Sequence, residues 1–285
     1  MSLPKQRLVD DLSRPGSLVE PVLTIDPRRV FLTLCACIAT LLGCYIVTVA
    51  TRLLTTHHWL FGLVRLFDLD AEANVPTFFS VLQLATAALL LNMIGRQARL
   101  RSDPFARLWL GLGAIFLFLA MDELAQIHEL LRPAANSPMH ASGMLYYGWV
   151  IPYGVLTATV GAIYIRFLLH LPVRTRWLMV LSGLIYVGGA AGLEIYGGYL
   201  EAHLGPEAAQ NSLAYLVEVF FEEGMEMFGI ALFIYTLLDH IRSTAGRVAI
   251  NVGPAPLALA GKDVRAADST QGIELGRVAG RLTAP

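Results

Sequence analysis

Six stretches of the chain, residues 30–51, 76–95, 105–127, 145–169, 177–199 and 213–238, stay predominantly apolar over about the 20 residues a helix needs to cross a bilayer. None of them alternates with a period of two, so the pattern predicts helices and not the strands of a membrane barrel. The expected fold is all-α, a polytopic transmembrane helix bundle of six spans. Between the first two spans, residues 59–67 are apolar but too few to cross, which predicts a short interfacial segment. The second span is announced by Asn74-Val75-Pro76-Thr77, where Asn74 or Thr77 can cap the helix and Pro76 suits its first turn.

Composition supports this pattern. Of 285 residues, 55% are hydrophobic and 15% charged, too few polar groups to wet the surface of a soluble domain of this length. The few cations are placed unevenly. Lys5, Arg7, Arg14, Arg28 and Arg29 precede the first span, and Arg96, Arg99, Arg101 and Arg107 separate the second from the third. Arg174 and Arg176 separate the fourth from the fifth, and Arg242 and Arg247 follow the sixth. The opposite side, near residues 52–75, 132–144 and 200–212, carries Asp68, Asp70, Glu72, Glu201 and Glu207 against Arg52, Arg65 and Arg132. The positive-inside rule then predicts a multi-pass protein of the inner (cytoplasmic) membrane with both termini cytoplasmic. No basic face is concentrated enough to bind nucleic acid.

Three regions follow: a polar, proline-containing N-terminal tail at 1–29, a membrane domain at 30–241, and a C-terminal tail at 242–285 whose composition predicts disorder. Cys35, Cys37 and Cys44 all fall within the first span without metal-ligand spacing, so they imply neither disulfide nor zinc.

Ionisable residues within the apolar stretches are the candidate chemistry. A charge near the bilayer centre costs about 2.5 to 3.5 kcal/mol on insertion scales, which makes such a residue functional by default. Asp122, Glu123, His128 and Glu129 lie at the end of the third span, Glu194 late in the fifth, and Glu218, Glu222, Glu223 and Glu226 in the first half of the sixth. Because consecutive spans run in opposite directions, all converge on the outer half of the bilayer. Glu226 is the deepest, roughly 20 Å along its helix at about 1.5 Å per residue. Helical spacing predicts one stripe of Asp122, Gln126 and Glu129, and a second of Glu218, Glu222 and Glu226. Carboxyls crowded in low dielectric cannot all ionise, so the cluster must hold protons or a cation, there being no Lys or Arg at that depth.

Two chemistries fit. As oxygen donors with one imidazole, Asp122, Glu123, His128, Glu129, Glu194, Glu218, Glu222 and Glu226 are candidate ligands for iron, manganese or another divalent cation, although no Glu-x-x-His pair of the four-helix di-iron kind is present. As acids and bases, Asp122, Glu123, His128, Glu222, Glu223 and Glu226 are candidate catalytic residues. The expected function is a membrane enzyme, metal-dependent or acid/base, whose partners are membrane lipid and a lipid-like or small-molecule substrate. The alternative is a proton- or cation-coupled transporter or a cation-binding membrane protein, since intramembrane carboxylates also serve as proton relays.

Three segments stand out as a set: Phe67-Asp68-Leu69-Asp70-Ala71-Glu72-Ala73-Asn74-Val75-Pro76-Thr77, Asp122-Glu123 with His128-Glu129, and Glu222-Glu223-Gly224-Met225-Glu226-Met227. In these the chain resembles a group of bacterial multi-spanning membrane proteins that have no assigned activity. The resemblance covers most of the membrane domain. It implies that the loop acids and the buried acids form one signature, and it implies no reaction.

Overall fold

The computed structural model describes residues 22–55, 62–128, 146, 150–245 and 249–251. By internal contacts the chain divides into two units, one of residues 1–22 with 251–285, and one of Leu23–Ile250. Of the first unit only Val22 and Asn251 are described.

Except for a pairing of two three-residue strands, β1 (Val22–Thr24) with β2 (Ala249–Asn251), the described elements are helical. α1 (Pro27–Leu54) begins where the Asp26 carboxylate accepts the Arg28 N–H at 3.1 Å and Pro27 supplies a preset φ. The interfacial segment contributes one short turn, α2 (Leu63–Leu66). Asn74 then caps α3 (Val75–Leu100). Its Oδ1 accepts from the Thr77 N–H and hydroxyl at 3.1 and 3.0 Å, while its amide nitrogen donates to the Asp68 and Ala71 carbonyls. One buried side chain thus starts a helix and closes the acid-bearing loop in front of it.

α4 (Ala106–Ala125) stops earlier than the hydrophobic pattern predicts, because Gln126 adopts a left-handed conformation, φ 57°. The helical register that would put Gln126 on one stripe with Asp122 is therefore broken at Gln126, where the chain changes direction, and Glu129 lies outside the described residues. After α5 (Val150–His170) comes one long path through α6 (Val173–Val187), a π-helical segment (Gly188–Leu193) and α7 (Glu194–Leu204). α8 (Pro206–Gln210) leads to α9 (Leu213–Ala245), 33 residues long.

Five of these helical paths are long and apolar enough to cross a membrane: α1, α3, α4, α5 and the continuous stretch 173–204. α9, on which the sixth span is expected, has the length but is not one of these five. It is nevertheless the helix that the others surround, packing against α1, α3, α6, the π segment and α7. Beyond the acids α9 is buried nearly all round, with Met227, Ile230, Ala231, Ile234 and Leu237 each at most 2% exposed. Ile230, Ile234 and Leu237 meet Leu84 and Leu91 of α3, Trp109 of α4 and Phe167 of α5 in one apolar cluster, Met227 and Ala231 join a second with Ile38, Leu41 and Tyr45 of α1, and Phe116 stacks on Phe233 at 4.6 Å between ring centres. On the outer faces large apolar side chains such as Leu32, Phe78, Leu124 and Leu184 stand exposed. That surface suits lipid, and the apolar helices make the chain compatible with a multi-pass membrane protein.

Glycines set the closest contacts of α9. A Cβ on Gly229 would lie 2.8 Å from the Tyr186 nitrogen and 3.0 Å from the Ser182 oxygen. A Cβ on Gly189 would lie 2.7 Å from the Glu222 carbonyl oxygen. Gly188 and Gly192, spaced four residues apart as a small-xxx-small pair, do not make such a contact. Gly188 would meet only the tip of Met225, and Gly192 has nothing within 4 Å.

Candidate functional site

The chain reversal at Gln126 carries His128 back over the end of α4. Its backbone N–H donates to Asp122 Oδ1 at 2.9 Å, and its Nδ1 lies 3.5 Å from Asp122 Oδ2. Tyr153 of α5 donates its hydroxyl to the same Oδ1 at 3.3 Å. Asp122 is 6% exposed, so its carboxylate is a buried acceptor held by two hydrogen-bond donors from two segments, with the His128 ring beside it. On the other side of the ring, His128 Nε2 stands 3.9 Å from Glu72 Oε1. An imidazole is therefore fixed at one nitrogen by a buried aspartate and turned toward a second carboxylate by the other.

Glu123 follows Asp122 and lies within electrostatic range of His128, Glu72 and Asp122. It also connects to α9, since Glu223 is within range of Glu123, Asp70, Glu194 and Glu72, and Glu226 of Glu223, Glu123 and Glu194. Glu222 is in hydrogen-bond reach of Glu194 at the start of α7 and of Glu218 one turn earlier on its own helix. Two carboxyls at that separation share a proton or a cation between them. The described candidates from α4, α7 and α9 thus fall in one contiguous cluster, whereas Glu129 lies outside the described residues.

The arrangement is a chain of neighbours and not a cage. Among the described residues no group of three or more His, Cys, Asp or Glu side chains is gathered so as to hold a metal ion. The sequence reading of a divalent-cation centre gains no support from this geometry, in which the acids are strung along α9 and met one by one from α4, the α2–α3 loop and α7.

Several members escape the sequence patterns. No motif or spacing singles out Tyr153 or Tyr186, yet Tyr153 bonds Asp122, and Tyr186 lies within range of Glu226, Glu123, Asp122 and Glu223. A hydroxyl on a helix face otherwise apolar was the available signal. The glycines flanking Glu194 were expected to leave room for that residue. Gly197 leaves room for another: its absent Cβ would sit 3.1 Å from both carboxyl oxygens of Glu218. Glu201, expected in an outer loop, is buried at the end of α7, where Gln210 donates to it at 3.0 Å.

The α2–α3 loop closes the outer end. Tyr215 donates its hydroxyl to Asp70 at 2.9 Å, tying the loop to the first turn of α9. Although Asp70 is exposed as a residue, enough protein surrounds its carboxyl that burial raises its pKa above the usual 3.8. The Tyr215 hydrogen bond opposes this, and Asp68, Glu201 and Glu194 add to it. Burial raises Asp68 as well, against the pull of Arg52. A carboxyl whose pKa is higher folded than unfolded favours the folded state at low pH, and the contribution is lost as pH rises through the folded value. The thermal stability of Asp70→Asn should therefore gain on wild type as pH rises above 3.8. Tyr215→Phe, which removes the opposing hydrogen bond, should shift the Asp70 transition to higher pH. A difference between Asp70→Asn and wild type that is constant from pH 3 to pH 8 would show that Asp70 is not so perturbed.

No curated protein and no solved structure matches the chain. A family model does, over residues 29–241, which takes in every helix from α1 through most of α9 and the whole acid cluster. The chain belongs to the family described as Domain of unknown function (DUF8692).

Proposed function

We propose that this chain is a six-span protein of the cytoplasmic membrane whose cluster is a proton-transfer centre, working by general acid–base catalysis on a lipid-like substrate at the outer leaflet. The observation that carries the reading is the Asp122–His128–Glu72 arrangement. A histidine whose Nδ1 is oriented by a buried carboxylate, here Asp122, presents Nε2 for proton transfer on the side of Glu72, and Asp122 holds the imidazole in one tautomer and stabilises its protonated form. Glu123 and Glu223 stand next to this dyad and extend it to Glu222, Glu226 and Glu194, a reservoir through which a proton can be redistributed. α9 serves as the sixth span, its acids tolerated because they face other polar groups and not lipid. The Arg-rich segments at 96–107, 174–176 and after 241 support an orientation with this cluster on the outer side and both termini cytoplasmic.

Transport is the weaker reading because the polar chain is not continued inward. Among the described buried residues of the inner half, Ser182 and Thr236 spend their hydroxyls on the Met179 and Leu232 carbonyls of their own helices. Just beyond Glu226 the buried Gln83 of α3 donates its amide N–H to the Met227 carbonyl at 3.3 Å, and deeper than that the packing around α9 is the apolar core.

The test is turnover. Wild-type protein and His128→Ala, each reconstituted in liposomes of a bacterial polar lipid extract, are incubated and the lipids compared by mass spectrometry. The expected result is at least one lipid species consumed by wild type and spared by the variant, with a loss of about a hundredfold or more in rate. Identical lipid profiles, together with proton flux across wild-type liposomes read by an internal pH dye, would replace the enzyme reading with the transporter.

A further inference from the structure

Glu218 is the acid that the proton-transfer dyad does not use. It is 4% exposed, its Oε1 is buried with no hydrogen-bond partner among the described residues, and Gly197 leaves the space its carboxyl occupies. It also lines a groove of about 730 Å³ on the outer face of the bundle, whose walls are Leu193 and Tyr196 on one side and Val217, Phe221 and Met225 on the other. That volume lies in the usual range for small-molecule sites, about 300 to 1,000 Å³. Apart from Glu218 the walls named are apolar or aromatic, and Tyr196, Val217 and Phe221 are exposed where lipid would stand.

The charge around Glu218 says what fits. Glu222 is in hydrogen-bond reach, and Glu194, Asp70 and Glu201 are in electrostatic range, all of them acids. Among the described residues there is no lysine to answer them, since Lys5 and Lys262, the chain's two lysines, lie outside those residues. Arg52 is directed to the Gln210 carbonyl and to Asp68. An apolar trough ending at a buried acceptor among acids is complementary to a molecule with a hydrocarbon chain and a cationic donor head. An ammonium satisfies such a site without the enclosing ligand cage that a metal ion needs, because its three N–H donors can be shared among separate carboxyl oxygens. Tyr196 adds an aromatic face at the rim, a favourable neighbour for a cation.

We propose that the groove between α9 and the π segment with α7 binds a single-chain amphiphilic amine, its alkyl chain against Leu193, Val217, Phe221 and Met225 and its ammonium donating to Glu218. This rests on the lipid-facing reading of the cluster and specifies the substrate class it would serve.

Radiolabelled dodecylamine and dodecanol serve as probes, with wild-type protein in phosphatidylcholine nanodiscs and empty nanodiscs subtracted. Dodecylamine is expected to bind saturably and about tenfold or more tightly than dodecanol, the usual worth of a hydrogen bond to a charged group. Glu218→Gln should remove that preference by weakening the amine about tenfold, leaving the alcohol unchanged. Val217→Trp, an exposed position that fills the groove without touching the core, should abolish saturable binding of both. Equal affinity for the two probes on wild type would overturn the proposal with no reference to any variant, as would amine binding unaffected by Val217→Trp. Loss of lipid turnover in His128→Ala alongside absent amine binding would overturn this inference alone. Selective amine binding without any turnover would overturn the enzyme reading and leave the groove as a binding site.

Discussion

Replacing Asp122 by alanine is expected to destabilise the protein by about 3 kcal/mol. The substitution strands the His128 backbone N–H, the His128 ring and the Tyr153 hydroxyl, which together converge on that carboxylate. With 6% of the residue exposed, water cannot easily take the place of the lost acceptor. Asp122→Asn separates shape from charge. Its carbonyl oxygen still accepts from the His128 N–H and Tyr153, while the amide cannot stabilise a protonated imidazole, so the expected cost is about 1 kcal/mol. Activity should respond in the opposite proportion, with Asn nearly as damaging as Ala because the orienting charge on His128 is gone. Thermal unfolding of the three proteins in one detergent measures the first effect and lipid turnover the second. An alanine variant that unfolds with wild type would mean that these donors do not depend on Asp122.

The second large effect is steric. Gly189→Leu is expected to cost about 3 kcal/mol, the upper end of ordinary overpacking, because even its Cβ would be 2.7 Å from the Glu222 carbonyl oxygen and backbone cannot swing aside as a side-chain tip can. Gly192→Leu, three residues further along the same π segment, meets nothing within 4 Å and should be neutral within about 0.5 kcal/mol. The pair is self-controlled, since both substitutions add the same apolar side chain to the same segment. Equal behaviour of the two in thermal unfolding would contradict the close approach of this segment to α9. Where Gly189→Leu still folds, turnover should fall too, because pushing α9 away separates Glu222 from Glu194.

The helices, and the meeting of acids from stretches far apart in the chain, were legible in the sequence for a simple reason. Long apolar runs have few alternatives to crossing as helices, and alternating direction then places the end of one span beside the start of the next. Asn74 was legible as a cap because an Asx side chain before Val-Pro-Thr has a local partner. What escaped was set by contacts distant in sequence or by unusual local backbone. Gln126 has no glycine's freedom, so nothing in its residue type announced a left-handed helix end, and with it went the predicted Asp122–Gln126–Glu129 stripe. Tyr153 is recognisable as a partner of Asp122 only once α5 is placed beside α4. The glycines of residues 188–198 were visibly adapted to close packing, but which ones touch depends on how many residues occupy each turn, and that the sequence pattern does not reveal.

That count per turn has a consequence of its own. A turn closed by an i→i+5 bond takes up one residue more than an α-turn, so everything beyond Gly188–Leu193 is rotated by roughly 100° from where an unbroken α-helix would carry it. The two halves of this membrane-crossing path are thus phased independently. The half before the segment is locked by Ser182 and Tyr186 against Gly229, and the half after it is aimed by Glu194, Gly197 and Glu201 at the acids of α9 and its approach. A single codon gained or lost within the segment would re-aim the carboxyls after it while leaving the packing before it in register, which makes this short stretch the place where the site can be altered at least cost to the bundle.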